Sequence, residues 1–190
     1  MLSFGKTLNN TGALIGPSIG IQAADGTLYF SMVFGGDHWL YWSHDYGKNW
    51  EASAPVKGMG ECSIAFLVDP KDGRIIMNCR TGQRQRAQII WSPEGVPGAV
   101  TWPGIIDPGC QGSIINVQGI LYTSNANTTD SRTHVTIRSS KDQGKSWSEG
   151  ILVSPGAGAY SQLCDIGVQD AVGILFEAGS AGINYVQVKV

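Results

Sequence analysis

An eight-residue motif occurs twice in this chain, and its spacing limits the fold more than any other feature. Ser43-His44-Asp45-Tyr46-Gly47-Lys48-Asn49-Trp50 and Ser140-Lys141-Asp142-Gln143-Gly144-Lys145-Ser146-Trp147 both read S-x-D-x-G-K-x-W. A worn copy lies between them, from Ser92 through Glu94 and Gly95 to Thr101-Trp102. The starting serines Ser43, Ser92 and Ser140 are 49 and 48 residues apart. A period of about 50 residues belongs to solenoids and propellers. Each copy reads as a β-hairpin turn. The Asp accepts local backbone N–H bonds, the Gly supplies positive φ, and the Trp caps the turn with apolar area.

Aligning the chain on these boxes predicts four short strands per repeat. The first repeat, about 16–57, has strands near 18–23, 27–34, 39–43 and 51–56. The second, about 58–106, has 61–68, 74–80, 85–91 and a strand near Thr101. The third, about 107–156, has 111–117, 120–124, 132–139 and 148–153. The fourth, about 157–190, has 160–168, 171–177 and 184–189. The segment before Gly16 reads as the outer strand of an earlier repeat. Short strands at even spacing, with one turn motif per unit, predict an all-β propeller of four-stranded antiparallel blades. Some three and a half to four blades are too few to close a typical ring. The count therefore predicts an incomplete propeller, completed by N-terminal blades or by self-association.

A four-stranded meander alternates direction, so its two faces separate scaffold from site. The boxes sit at the ends of third strands, on one face. Glu61, Arg80, Arg132, Tyr160 and Glu177 fall at strand ends on the other face. Two arginines, two glutamates and a tyrosine converging near the axis suit an anionic ligand. Each has a plainer reading as rim charge, turn residue or core aromatic; their joint occurrence at equivalent strand ends favours a site.

Composition removes other classes. Only 15% of the 190 residues are charged and the net charge is -2, so nothing points to nucleic acid. No apolar run approaches the length of a spanning helix. Met1-Leu2-Ser3-Phe4-Gly5 has neither the basic nor the apolar region of a signal peptide, and the compartment is left open. Cys62, Cys79, Cys110 and Cys164 show no C-x-x-C spacing. Buried free thiols are the plain expectation, with disulfides the alternative. His38, His44 and His134 show no ligand spacing, so no metal is expected.

The boxes resemble the Asp-boxes of sialidases (neuraminidases), and further segments follow in that family's order. Gly16-Pro17-Ser18-Ile19-Gly20-Ile21-Gln22 resembles their G-P-G-x-G-I-Q segment. Gly60-Glu61-Cys62-Ser63 and Asn78-Cys79-Arg80 resemble the segments of the catalytic Glu and of an N-x-R arginine. Ser131-Arg132-Thr133-His134 resembles the third-arginine strand, Ala159-Tyr160-Ser161-Gln162-Leu163 the nucleophile segment, and Leu175-Phe176-Glu177 with Tyr185 the closing pattern. The resemblance implies a six-bladed propeller that hydrolyses terminal α-linked sialic acid with retention, without cofactor or metal. It implies Tyr160 as nucleophile, Glu61 as its general base, Arg80 and Arg132 as carboxylate-gripping arginines, and Glu177 as a supporting residue. It casts Ser43, Asp45, Gly47, Trp50, Ser140, Asp142, Gly144 and Trp147 as structural. The implied partners are sialylated glycans on glycoproteins, gangliosides or oligosaccharides. The family's first arginine, in an F-R-I-P segment, and its acid/base Asp have no counterpart here, so the chain alone is expected to be weakly active or inactive.

Overall fold

The computed structural model describes residues 13–190. The described residues form four antiparallel sheets and a single 3-10 turn, Gly179–Ala181. The first sheet holds β1 (Leu14–Ile15), β2 (Ile21–Gln22), β3 (Leu28–Phe34), β4 (Asp37–Ser43), β5 (Glu51–Ala52) and β6 (Val56–Lys57). The second holds β7 (Cys62–Phe66), β8 (Ile75–Cys79) and β9 (Ala87–Trp91). The third holds β10 (Ser113–Val117), β11 (Ile120–Ala126), β12 (Thr133–Ser140) and β13 (Ile151–Ala157) in plain meander order. The fourth holds β14 (Ser161–Asp165), β15 (Ala171–Glu177) and β16 (Ile183–Lys189). This is the expected all-β propeller architecture.

Two expectations about strands need correction. Leu14–Ile15 is no outer strand of an earlier repeat: Leu14 pairs with Val33, on the edge of β3 where Ile21 pairs with Tyr29. β1 and β2 are thus one innermost strand, interrupted where Gly16 turns at φ 79 and Pro17 offers no N–H. The rest of that segment, residues 1–12, lies outside the described residues. In the second sheet no continuous strand forms near Thr101. Isolated bridges Trp91↔Pro97, Gln88↔Thr101 and Gln85↔Ile106 take its place. Pro97 and Pro103 remove ladder donors, and Gly98 and Gly104 add slack.

Three apolar clusters seal the three joints between sheets. Tyr29 and Leu40 meet Ile64, Phe66 and Trp91 at the first joint. Ala65, Leu67 and Ile76 meet Ile114 and Leu121 at the second. Ile115, Tyr122 and Val135 meet Leu163, Ile174 and Phe176 at the third. One polar contact recurs along the axis. Ile114 N donates to Ser63 Oγ at 3.1 Å, and Leu163 N donates to Ser113 Oγ at 3.1 Å, so each innermost strand hooks the next.

The two intact boxes share one bonding scheme. Asp45 Oδ1 accepts from Asn49 N at 2.8 Å, and Asp142 Oδ1 from Ser146 N at 2.9 Å. Ser43 Oγ accepts from Gly47 N at 2.8 Å, and Ser140 Oγ from Gly144 N at 2.9 Å. Gly47 and Gly144 sit at φ 84 and 81, as the turn requires, but the preceding Tyr46 and Gln143 are also left-handed at φ 59 and 63. The two Trp residues differ in partners. Trp50 packs edge-on to Phe30 within its own sheet, while Trp147 joins the cluster between the second and third sheets. The worn copy keeps the Gly95 turn at φ 73, but Trp102 is 46% exposed and does not cap it.

Candidate functional site

The structure brings all five proposed site residues to one place. Glu61 directly precedes β7 and Arg80 directly follows β8, so they are the last pair of that hairpin. Arg80 N donates to Glu61 O at 2.9 Å, and Gly60 N to Arg80 O at 2.9 Å. Tyr160 and Glu177 occupy the same place in the fourth sheet. Glu177 N donates to Tyr160 O at 2.9 Å, and Ala159 N to Glu177 O at 3.2 Å. One backbone arrangement is thus used twice, with different side chains.

These pairs meet across the axis. Tyr160 Oη donates to Glu61 Oε1. Arg80 Nη1 holds the other carboxylate oxygen, Oε2, at 2.7 Å. Arg132 stands over the Tyr160 ring with its guanidinium carbon 5.7 Å from the centroid, placed for a cation–π contact. Glu177 Oε2 accepts from Tyr160 N at 3.1 Å. Burial, the Glu61 hydrogen bond and the Glu61 charge push the Tyr160 phenol up to about 12, against a pull from Arg80 in the other direction. Burial is the largest single influence on Arg80 and opposes its charge, but the Glu61 hydrogen bond together with the nearby charges, Glu61 first, outweighs it and holds the guanidinium above its usual range. A cavity of about 410 Å3 opens beside Tyr160 and Glu177, lined also by Ser18, Gln111 and Phe176. A second hollow of about 460 Å3 lies between Arg132 and Glu177. The arrangement is a half-buried phenol whose proton already points at a carboxylate, flanked by two guanidinium groups. It suits a proton transfer coupled to attack by the phenol oxygen, next to a bound anion.

The boxes lie elsewhere. Ser140 ends β12 and Arg132 precedes it, so box and site are separated by roughly 25 Å of strand. His38, His44 and His134 are each hydrogen-bonded within the protein. Nδ1 of His38 meets Gly60 O at 2.7 Å, Nδ1 of His44 meets Thr27 Oγ1 at 2.9 Å, and Nδ1 of His134 meets Thr133 Oγ1 at 2.9 Å.

The sequence reading missed three features around the site. The first is a disulfide between Cys62 and Cys79, which overturns the expectation of free thiols for this pair; Cys110 and Cys164 are free. The signal was present, because a hairpin ending at Glu61 and Arg80 puts Cys62 opposite Cys79. The second is a buried ion pair beneath the site. Arg86 Nη1 reaches Asp107 Oδ2 at 2.9 Å, with both side chains 0% exposed. Arg86 Nε also bonds Asn78 Oδ1, and Asn125 Nδ2 reaches Asp107 Oδ2 at 3.2 Å. The third is Gln111, buried, whose Nε2 donates to Pro17 O at 3.0 Å and whose Oε1 accepts from Ser161 N at 2.9 Å. Nothing in composition or period singles out Arg86 or Gln111, since both partners are distant in sequence.

A family model for BNR repeat-like domains matches residues 7–170. A sialidase of Bacteroides fragilis (strain YCH46) is 28% identical over 198 residues, covering 93% of this chain and 36% of the relative. A sialidase of Micromonospora viridifaciens is 32% identical over 159 residues, covering 76% of this chain and 24% of the relative. The chain therefore spans about a third or less of the curated relatives it matches. Among solved structures, a Hadza microbial sialidase superposes with a TM-score of 0.79 at 29% identity, covering 94% of this chain and 38% of that one. The repeat that ordered the sequence and the family match along most of its length agree: the chain belongs to the BNR repeat-like family and, within it, to the sialidases.

Proposed function

We propose that this site takes a terminal α-linked sialic acid and serves its hydrolysis, with Tyr160 as nucleophile and Glu61 as its base. The observation that carries the reading is the hydrogen bond from Tyr160 Oη to Glu61 Oε1, with Arg80 on Oε2. Sialic acid bears a carboxylate on the carbon that is attacked. An anionic nucleophile is repelled there and a neutral phenol is not; a Tyr nucleophile is a recognised departure from the two-carboxylate scheme. In the first step the bond from Tyr160 Oη to that carbon forms, the phenol proton passes to Glu61, and the glycosidic bond breaks as its oxygen takes a proton from an acid supplied from outside these five residues. Water then attacks the same carbon and gives its proton back to that outside group, while the bond to Tyr160 Oη breaks and Glu61 returns the proton to the phenol; two inversions give retention. Arg132 and the remaining N–H groups of Arg80 face the substrate carboxylate. Glu177 fixes the Tyr160 backbone and supports the arginines.

No Arg-Ile-Pro segment occurs in this chain. A first arginine and a leaving-group acid are left to further blades or another chain that completes the ring, so the chain alone should turn over weakly. That observation also favours a second reading, retention of sialylated glycans without cleavage. A fluorogenic sialoside separates the two, and a sialoside titration followed by NMR reads binding. Whatever turnover is present should fall at least ~10²-fold in Tyr160→Phe. Full turnover that survives this substitution rules out the nucleophile, and binding without turnover selects the second reading.

A further inference from the structure

The Cys62–Cys79 cross-link sits next to the site residues in both sequence and space. Cys62 follows Glu61, Cys79 precedes Arg80, and the two cysteines are paired directly across β7 and β8. Their side chains are buried. The hairpin turn lies at the other end of these strands, so Glu61 and Arg80 are at the open end, where a strand pair frays first. The equivalent pair in the fourth sheet is Ser161↔Phe176, next to Tyr160 and Glu177, and it carries no cross-link. There the open end is closed instead by the Glu177 side chain on Tyr160 N and by Gln111 on Ser161 N. At the Glu61–Arg80 end no side chain of the described residues is bonded to a backbone N–H in this way: Arg80 holds Oε2 of Glu61 across the strand pair, and Oε1 is spent across the axis on Tyr160. The second sheet does not lack a core that the cross-link would replace: Ile64, Ile75, Met77, Ile89 and Trp91 are all 0% exposed.

We propose that the Cys62–Cys79 disulfide is a positioning element of this site: it clamps the open end of the hairpin so that Glu61 and Arg80 stay in register beneath Tyr160. The inference deepens the reading of the site given above and rests on it. Breaking the clamp releases the Glu61 carboxylate from the phenol and leaves the sheets standing.

The test reads Tyr160 directly, with no sialoside present. The whole chain is labelled at the tyrosine ring Cζ, and the Tyr160 signal is assigned with Tyr160→Phe. Spectra are followed to about pH 10.5, where an ordinary phenol is mostly ionised. In the wild type the Tyr160 signal should stay at its neutral position. In Cys62→Ala/Cys79→Ala, with the far-UV dichroism unchanged, it should move to the ionised position, a shift in midpoint of at least tenfold in proton concentration, while Tyr122 in the third sheet does not move. A Cys62→Val/Cys79→Ala pair restores buried volume and should give the same result. An unmoved Tyr160 in a folded variant overturns the proposal, as does a common shift of all tyrosines. Loss of the fold in both variants overturns it too, by making the cross-link a support of the whole sheet. A protein that passes this test and binds no sialoside refutes the functional reading and not the clamp.

Discussion

His38 should make this fold sensitive to mild acid. The residue is fully buried on β4, and its Nδ1 donates to Gly60 O at 2.7 Å. That bond places the ring proton on Nδ1, and Nε2 is buried with no partner. Charging the ring would put a second proton on Nε2 where nothing accepts it. Burial accordingly lowers the midpoint from 6.5 to about 4, against a smaller raising effect of the Gly60 bond. This makes charging His38 in the fold about 3 kcal/mol harder than in the unfolded chain. Because the folded midpoint is depressed, the unfolded chain binds a proton between about pH 6.5 and 4 that the fold does not. Stability therefore falls as pH drops through 6.5 and levels off below about 4. Between pH 7 and 5 the loss should be about 2 kcal/mol. Urea unfolding followed by tryptophan fluorescence at several pH values measures it. His38→Asn keeps an N–H near the Nδ1 position and does not titrate, so its stability should be nearly flat over the same range. Equal losses in wild type and His38→Asn would refute the argument, and so would a flat wild-type curve.

The remaining predictions concern the scaffold. Arg86→Met should destabilise the chain by about 3–5 kcal/mol, because Asp107 is then a buried carboxylate without its cation. The corresponding drop in Tm is roughly 10 °C, read by calorimetry. Asp45 is held at about 2 mainly by the Asn49 backbone and side chain, and Asp142 at about 2 mainly by the Ser146 side chain and backbone. Depressed carboxyl midpoints contribute stability that is present above the ordinary 3.8 and lost as pH falls through about 2. A second acid transition is thus expected below that of His38, and Asp142→Asn should shrink it in the same fluorescence titration.

What was legible in the sequence follows from what repeats. The boxes, the period and the polarity of the strand ends are local and recurrent, so they place Glu61, Arg80, Arg132, Tyr160 and Glu177 on one face before any coordinate is consulted. The outer strand of the second sheet was not legible, because two prolines and two glycines between Pro97 and Gly104 turn a strand into three isolated bridges. The first strand was misread for a related reason: a break at Gly16-Pro17 looks like a boundary between repeats and is an interruption within one. Arg86, Asp107 and Gln111 each have partners well separated in sequence, and the spacing of those partners repeats nowhere.

The repeat also explains why a phenol and a carboxylate from different sheets can share a proton. The second and fourth sheets each deliver the open end of their first two strands to the axis in the same way, as the matching backbone bonds at Glu61–Arg80 and Tyr160–Glu177 show. The second and fourth sheets are separated by the third, whose innermost strand packs against both neighbours. A short side chain at either position would leave the gap open. Tyr160 bridges it with a full aromatic ring, and the carboxylate that receives it is held from behind by Arg80. Arg132 comes from the sheet between them and covers the ring that spans the gap. Box residues at the far ends of the same strands cannot enter this geometry. Their substitution should therefore act on the site only through the stability of the sheets that carry it.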